Sequence, residues 1–291
     1  MIHGIELEWI RLIHEFRGPF LDLFFKSLNF FDRKEFFFLL IPIIWVCLGW
    51  KFSLRFFYIL LFGTLFNSVL KAFFASPRPF LLDSALGLIS VHGYGFPSGA
   101  AQTAILLSGI LLSLWKTSLT WSIAIIYTLL ISFSRIYLGV HFPTDILAGW
   151  FFGALFLMAV LKFAPKLSQL LEKTSPLKLL GINILLALFL MFLVSKKTIT
   201  MYAANSIGLG LGLWISHFYR LLPSLPKNLK ESVLKVLFSI SGLFLVYWLT
   251  SKLPNAPSFK LLQAVSLGLW LSLGSQLLFE VLFPSKRPAL R

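Results

Sequence analysis

Charged residues are scarce in this sequence: 13% of its 291 residues are Asp, Glu, Lys or Arg, whereas 58% are apolar. Soluble globular domains carry about 25% charged residues, so this composition excludes an ordinary water-soluble fold. Negatively charged residues are scarcer than positively charged ones, with 11 Asp and Glu against 26 Lys and Arg. Only five His are present. Because the oxygen and imidazole ligands are few and do not cluster at metal-ligand spacing, we expect no metal and no other cofactor.

Cysteine is also almost absent, since Cys47 is the single one. One cysteine excludes an internal disulfide and a cysteine-based metal site, and its position inside an apolar segment favours a packing role. We expect no cleavable signal peptide, because Glu6 and Glu8 come early and no small-residue cleavage pattern follows a basic start.

Long apolar runs dominate the chain instead. Runs of about 16 to 25 residues can cross a hydrocarbon core of roughly 30 Å at 1.5 Å per helical residue. Barrel strands would alternate apolar and polar residues, whereas these runs are apolar on every face. The sequence therefore predicts an all-α polytopic membrane protein with about nine transmembrane helices, at residues 35–50, 54–75, 99–115, 119–138, 143–163, 177–195, 201–221, 231–250 and 259–283.

The N-terminal segment differs from these runs because it is amphipathic. Residues 5–30 mix Trp, Ile, Leu and Phe with Glu, Arg, Asp and Lys, which makes the segment too polar to span a membrane. We expect an amphipathic helix that lies in the membrane interface and is interrupted near Gly18 and Pro19.

The net charge of +15 would indicate nucleic acid as a partner in a soluble protein. Here most Lys and Arg occupy short connections between spans, so we expect membrane lipids and not nucleic acid as partners. Counting the spans places residues 76–98 and 139–142 on one side of the membrane, and the opposite side carries more Lys and Arg. The positive-inside rule then predicts that these connections face the periplasmic side of a bacterial-type inner membrane.

Two cations lie at the start of the first of these connections. Lys71 ends the second predicted span, and Arg78 follows seven residues later, between two prolines. Pro77 ends the helix and turns Arg78 back towards that helix end, so the two cations should converge. An alternative role for Lys71 is that of an anchor that reaches the lipid headgroups.

The same connection ends in Pro97-Ser98-Gly99-Ala100, directly before the third predicted span. Ser98 occupies the position of a helix N-cap. The unpaired backbone N–H groups and the positive end of the helix dipole would attract an anion, and Gly99 would let it approach the backbone closely. The alternative is an ordinary N-cap, because Pro-Ser-Gly is common turn chemistry.

A third group of polar residues surrounds the second connection. Arg135 closes the fourth predicted span and, as a cation at the membrane, needs an anionic partner. Pro143 fits the first position of the fifth helix, so Asp145 should lie in its first turn and reach one ring nitrogen of His141. That contact would fix the tautomer and leave the other nitrogen free as a nucleophile. The alternative is a structural ion pair of Asp145 with Arg135 or His141.

Together these residues place three cations, a helix N-terminus and an oriented histidine on one side of the membrane. Such a set fits a tetrahedral phosphate dianion. Phosphoryl transfer depends mainly on positioning and on neutralisation of charge, which Lys and Arg can supply without a metal.

These residues closely resemble the three motifs of the type-2 phosphatidic acid phosphatase superfamily, Lys-x6-Arg-Pro, Pro-Ser-Gly-His and Ser-Arg-x5-His-x3-Asp. They occur in this order within residues 71–79, 97–100 and 134–145, and the resemblance covers roughly residues 5–163. It implies that His141 attacks phosphorus to form a phosphohistidine and that Asp145 orients His141. It also implies that phosphate is bound by Lys71, Arg78, Ser98, Gly99 and Arg135.

Ala100 departs from the family pattern, because the second motif ends in a histidine that protonates the leaving oxygen. Alanine cannot donate a proton, so we expect this chain to bind phosphate but to cleave lipid esters poorly. Since every other motif position is intact, we interpret Ala100 as an introduced His-to-Ala substitution that inactivates the protein. His92 could replace the missing acid only if the loop of residues 92–98 folds back; otherwise it is a solvated loop residue.

The resemblance implies a metal-independent phosphatase that acts on a lipid phosphate or diphosphate in the bilayer, with an isoprenoid diphosphate as the first candidate. Residues 1–163 would form the phosphatase core, and residues 164–291 would add four transmembrane helices for packing or for shaping the substrate site. Two alternatives stay open: a lipid phosphotransferase, and a non-catalytic lipid-phosphate binder or transporter, which Ala100 and the added helices would suit. Small residues predict close helix contacts in the added part, at Gly208, Gly210, Gly212, Gly268, Ser272 and Gly274.

Overall fold

The computed structural model describes residues 2–194 and 196–283, and every regular element in these ranges is helical. A helix lies at each of the nine predicted spans, so the all-α fold class is confirmed. The helices are α1 (Ile2–Glu15), α2 (Pro19–Leu28), α3 (Lys34–Cys47), α4 (Trp50–Phe74), α5 (Pro79–Leu82), α6 (Gly99–Leu114), α7 (Ser118–Tyr137), α8 (Pro143–Glu172), α9 (Pro176–Leu193), α10 (Lys197–Phe218), α11 (Leu229–Ser251), α12 (Pro257–Leu269) and α13 (Ser275–Leu282), with a π-helical segment (Trp270–Gly274) joining the last two.

Within the described residues, six helical stretches are long and apolar enough to cross a membrane, and the chain is an integral membrane protein. Helix α6 is also apolar but has only 16 residues. The predicted number of nine spans therefore stays a prediction. The six stretches are Trp50–Leu82, Ser118–Tyr137, Pro143–Glu172, Pro176–Leu193, Leu229–Ser251 and Pro257–Leu282.

The N-terminal segment forms two helices, with the break where Gly18 and Pro19 predict it. Helix α1 ends at Glu15, and Pro19 begins α2, where its missing N–H costs no hydrogen bond. A short 3-10 turn, Asn29–Asp32, then leads into α3.

Each of these two helices buries one apolar face. Ile10 of α1 is fully buried and packs with Leu86 and Phe142. The ring of Phe25 in α2 lies 4.3 Å from the ring of Tyr137, measured between centroids. Because Tyr137 precedes the second connection and Phe142 is its last residue, this packing holds the N-terminal segment against that connection.

The chain divides into two compact units, the first joining Met1–Phe37 to Phe62–Pro165 and the second joining Phe38–Leu61 to Lys166–Arg291. All three motifs lie in the first unit. The units describe packing, so the functional division between residues 163 and 164 stays a prediction.

In the first unit, close contacts place the start of α6 against α4 and α8. A Cβ on Gly149 would lie 2.6 Å from the carbonyl oxygen of Ser98, so only a residue without a side chain fits there. Gln102 fills the adjoining space, where its amide donates to the carbonyl of Gly63 at 2.8 Å and its oxygen accepts from Asn67 at 3.0 Å. The start of α6 is thus fixed by packing and by buried hydrogen bonds.

In the second unit, small residues bring α10 and α12 together, as their pattern predicts. A Cβ on Gly208 would collide with the backbone of α12, and one on Gly268 would collide with the backbone of α10. The hydroxyl of Ser272 donates to the carbonyl oxygen of Gly268 at 2.8 Å and to that of Gly208 at 3.3 Å. Close backbone approach of this kind stabilises helix pairs in membranes through dispersion contacts and hydrogen bonds.

Candidate active site

His141 and Asp145 form the pair that their spacing predicts. Pro143 begins α8, so Asp145 lies in the first turn. Nδ1 of His141 lies 3.1 Å from Oδ2 of Asp145, and the same oxygen accepts the backbone N–H of Phe142 at 2.9 Å. Both side chains are buried. The carboxylate therefore favours a proton on Nδ1 and leaves a free electron pair on Nε2.

Arg78 lies beside that second nitrogen. Its Nη1 is 3.2 Å from Nε2 of His141 and donates to the carbonyl of Val140 at 2.9 Å, while its Nε donates to the carbonyl of Gly93 at 2.8 Å. A guanidinium has no acceptor, so Nε2 of His141 must accept, which agrees with a proton on Nδ1. Arg78 thus holds positive charge next to the nitrogen that we expect to attack phosphorus.

Lys71 fixes the loop that passes the carboxylate of Asp145. Its Nζ donates to the carbonyl oxygens of Tyr94 at 2.7 Å and Gly95 at 2.9 Å. A Cβ on Gly95 would lie 2.8 Å from the carbonyl oxygen of Pro77 and 3.1 Å from Oδ2 of Asp145, so the loop fits tightly at this point. Lys71 therefore supports the site as well as adding charge to it.

The start of α6 lies next to the same pair. Ser98 is the N-cap, as predicted: its hydroxyl accepts the N–H of Ala101 at 3.4 Å, and its own N–H donates to the carbonyl of Asp145 at 2.9 Å. Gly99 follows with its Cα close to Asn67, whose Oδ1 would lie 3.1 Å from an added Cβ. The positive end of the α6 dipole therefore lies where an anion near His141 would be stabilised.

Arg135 is 1% exposed and is held mainly by neutral oxygens. Its Nε donates to the hydroxyl of Ser134 at 3.1 Å, and its Nη1 donates to Oδ1 of Asn29 at 2.7 Å and lies 3.5 Å from Oδ2 of Asp32. Among the described residues, Nη2 has no hydrogen-bond partner although it is buried. A buried N–H group of a cation is costly without an acceptor, so Nη2 is suited to a phosphate oxygen.

The surroundings of His141 keep its ring neutral. Burial lowers the pKa of His141 well below the ordinary value, and the charges of Arg78, Lys71 and Arg135 lower it further. A neutral ring keeps the electron pair that a nucleophile needs. All three positive charges therefore act on one imidazole, and their role in binding phosphate stays a prediction.

Ala100 lies in an apolar environment. It is 4% exposed and packs with Ile131, and Leu28 and Phe31 of the N-terminal segment cover this cluster. His92, the alternative proton donor, is exposed in its loop.

Sequence reasoning missed the N-terminal contribution to the site. Glu6 is buried and accepts the backbone N–H of Thr144 at 2.8 Å, so it caps the start of α8. Asn29 and Asp32 contact Arg135. One signal was available for Asp32: it directly precedes the first span on the side where the predicted topology places the site, and a buried arginine needs an acidic partner.

The arrangement suits attack on a phosphoryl group. A neutral imidazole, three cations and a helix N-terminus can position the group and neutralise its charge. Among the described residues, no group of three His, Cys, Asp or Glu side chains is placed to hold a metal ion.

Residues 52–169 match the PAP2 superfamily. Undecaprenyl-diphosphatase of Sulfolobus acidocaldarius is 32% identical over 114 residues, which are 38% of this chain and 51% of that protein. Phosphatidylglycerophosphatase B of Bacillus subtilis is 34% identical over 127 residues, which are 40% of this chain and 60% of that protein. The matches thus span about half to three fifths of the length of these curated relatives.

A solved structure is also similar to this chain. The crystal structure of a transmembrane PAP2-type phosphatidylglycerolphosphate phosphatase from Bacillus subtilis has 24% sequence identity and a TM-score of 0.49, and the match covers 57% of this chain and 87% of that chain.

Proposed function

We propose that this chain, residues 52–169 of which match the PAP2 superfamily, is a metal-independent membrane phosphatase acting on a lipid phosphate or diphosphate. One observation carries the proposal: Nε2 of His141 lies beside Arg78, while Nδ1 is held by the buried carboxylate of Asp145. This geometry presents a neutral nucleophile at a cationic site, which is what attack on a phosphate requires.

In the proposed reaction, Nε2 of His141 attacks phosphorus and the bond to the lipid oxygen breaks, which leaves a phosphohistidine. Asp145 orients the ring and stabilises its positive charge as the new bond forms. Lys71, Arg78 and Arg135, together with the Ser98 hydroxyl and the backbone N–H of Gly99, would bind the phosphate oxygens. Water then attacks phosphorus, and the electron pair of the P–N bond returns to His141.

An isoprenoid diphosphate is the first candidate substrate. The similarity to an undecaprenyl-diphosphatase supports this choice, and the similarity to a phosphatidylglycerophosphatase makes phosphatidylglycerol phosphate the second candidate. The site chemistry is common to both substrates, because both present a terminal phosphate on a lipid.

Ala100 should lower the rate at which this chain hydrolyses lipid phosphates. No side chain at this position can protonate the leaving oxygen, so the phosphate site is equipped to bind but lacks the acid of the family motif. The absence of a proton-donating side chain at position 100 also favours a second candidate function, a non-catalytic binder or transporter of lipid phosphates.

Chelation should leave hydrolysis unchanged within about 2-fold, because cationic side chains supply the charge that metals supply elsewhere. The measurement is phosphate release from lipid phosphates in detergent, with and without EDTA, using the Ala100→His variant so that turnover is large. Loss of activity that added Mg²⁺ restores would refute metal independence. A phosphorylated second lipid in place of free phosphate would identify a phosphotransferase.

The site should face the outside of the cell. Ser84 is exposed in the 76–98 connection, so a Ser84→Cys variant offers a thiol on the side of the site. Because Cys47 is also exposed, the test needs a Cys47→Ser background, and that variant alone is the control. We expect an impermeant thiol reagent to label Ser84→Cys in intact cells. Labelling that appears only after the membrane is opened would reverse the orientation.

A further inference from the structure

We propose that Asp32 is the proton donor to the leaving oxygen in this chain, in place of the histidine that the family motif has at position 100. The inference rests on the proposed phosphatase function and names a catalytic residue that the three motifs do not contain. Asp32 precedes the first predicted span and lies outside residues 52–169, which match the family.

The position of Asp32 places an acid next to the phosphate-binding cation. Its Oδ2 lies 3.5 Å from Nη1 of Arg135, and 38% of its side chain is exposed, so a substrate oxygen can reach the carboxyl. The preceding residue, Phe31, packs on the apolar cluster that contains Ala100. The segment that carries Asp32 thus covers the position from which the family acid would act.

The groups around Asp32 decide whether it can hold a proton. Packing raises the pKa of Asp32 above its ordinary value, and the charges of Arg135, Lys71 and Arg78 oppose that rise, as does its partial exposure. A bound phosphate would neutralise these cations and add negative charge beside the carboxyl, and both changes raise the pKa of Asp32.

The remaining polar neighbours leave the carboxyl available. The negative charge of Asp32 also acts on Tyr127 of α7, which carries no charge of its own while protonated. On its own segment, Arg33 pairs with Glu35 at 3.1 Å and so has another carboxylate as its partner. Arg135 is held more closely by Asn29, at 2.7 Å, so its position does not depend on Asp32 alone.

In the proposed reaction, Asp32 gives a proton to the lipid oxygen in the first step and regains one from water in the second. As Nε2 of His141 forms a bond to phosphorus, the bond from phosphorus to the lipid oxygen breaks, and this oxygen takes the proton of the Asp32 carboxyl. In the second step the Asp32 carboxylate accepts a proton from the water that attacks phosphorus. The P–N bond breaks, free phosphate leaves, and Asp32 is protonated again.

The test compares Asp32→Asn in two backgrounds, the chain as written and the Ala100→His variant. In the chain as written, Asp32→Asn should lower hydrolysis of a lipid phosphate by at least about 10-fold, whereas Asp32→Glu should keep part of the activity. In the Ala100→His background the loss should fall below about 3-fold, because the histidine supplies the proton. Glu35→Gln removes a carboxyl three positions further along the chain, at the start of α3. It is the matched control and should change the rate of hydrolysis little.

Two further readouts separate an acid from a structural residue. The loss should shrink for p-nitrophenyl phosphate, whose leaving oxygen needs little protonation. In the chain as written, activity should fall as pH rises through the raised pKa of Asp32, since only the protonated carboxyl can donate, and Asp32→Asn should remove this fall.

The proposal is overturned if Asp32→Asn has no effect, or if its effect is equal in both backgrounds or for both substrates, because Asp32 would then act only by holding Arg135. It is also overturned if the chain as written is inactive while Ala100→His is active. If neither background hydrolyses any phosphate ester, the proposed phosphatase function itself fails.

Discussion

Replacement of His141 by alanine should lower kcat by at least about 10³-fold, which corresponds to about 4 kcal/mol of lost transition-state stabilisation. The reason is that, in the proposed mechanism, Nε2 of His141 forms the covalent bond to phosphorus, and this nitrogen lies 3.2 Å from Nη1 of Arg78. Single-turnover experiments with a radiolabelled lipid phosphate should trap an acid-labile phosphoenzyme in the parent protein and none in the variant.

Arg135→Ala should differ in kind from His141→Ala. In the proposed mechanism Arg135 neutralises charge in the ground state and in the transition state, so its loss should weaken vanadate binding by about 10- to 100-fold in addition to lowering kcat. Arg33→Ala is the control for charge alone, because it removes an exposed arginine that pairs with Glu35.

Two controls make the His141 result interpretable. His141→Gln keeps a side chain that can hydrogen-bond but cannot form a phosphohistidine, so it should be as inactive as alanine while remaining folded in detergent. His92→Ala removes an exposed histidine and should keep the activity of the parent chain. Normal turnover by His141→Ala would disprove the phosphohistidine mechanism, and a strong loss in His92→Ala would transfer the role of proton donor to His92.

Ala100→His should raise hydrolysis of a lipid phosphate by about 10²-fold, the usual contribution of a general acid to a poor leaving group. The increase in rate on Ala100→His should be smaller for p-nitrophenyl phosphate, whose leaving oxygen needs little protonation. It should be larger in the Asp32→Asn background, where no other acid supplies the proton. Because Leu28 and Phe31 cover this position, the larger side chain must displace them, at a cost of about 1–3 kcal/mol in stability. Thermal unfolding in detergent should be measured beside activity.

If a folded Ala100→His variant shows only background hydrolysis, the binder or transporter becomes the better function. A large gain would agree with our interpretation that Ala100 is a substitution in an otherwise intact motif. Vanadate affinity supplies the control, since position 100 should affect proton transfer far more than binding of the phosphate group.

Much of the fold could be predicted because its cause is local. The length and uniform apolarity of the runs predict spanning helices, and the N-cap Ser98 and the first-turn proline Pro143 predict where two of them begin. The His141–Asp145 contact could also be predicted. Pro143 fixes where α8 begins, and a side chain in the first turn, such as that of Asp145, can reach the residues just before the helix. These features need only neighbouring residues.

The partners of Arg135 could not be predicted in the same way. The sequence indicates that a buried arginine needs an acceptor, and it offered Asp145, whereas Asn29 and Asp32 are the residues in contact. They lie more than 100 positions earlier in the chain, and periodicity carries no information about which distant segments meet. Lys71 is similar, because its bonds to loop carbonyls depend on a loop path that the sequence does not encode locally.

The N-terminal segment determines where a fragment of this chain must begin if the site is to stay intact. A fragment that starts at residue 52 would contain all three motifs and would look complete by family membership. It would nevertheless lose the cap that Glu6 gives to α8, the Asn29 oxygen that holds Arg135, and the cover over Ala100. The smallest piece of this chain that keeps the geometry of the proposed phosphate site therefore starts near the first residue of α1.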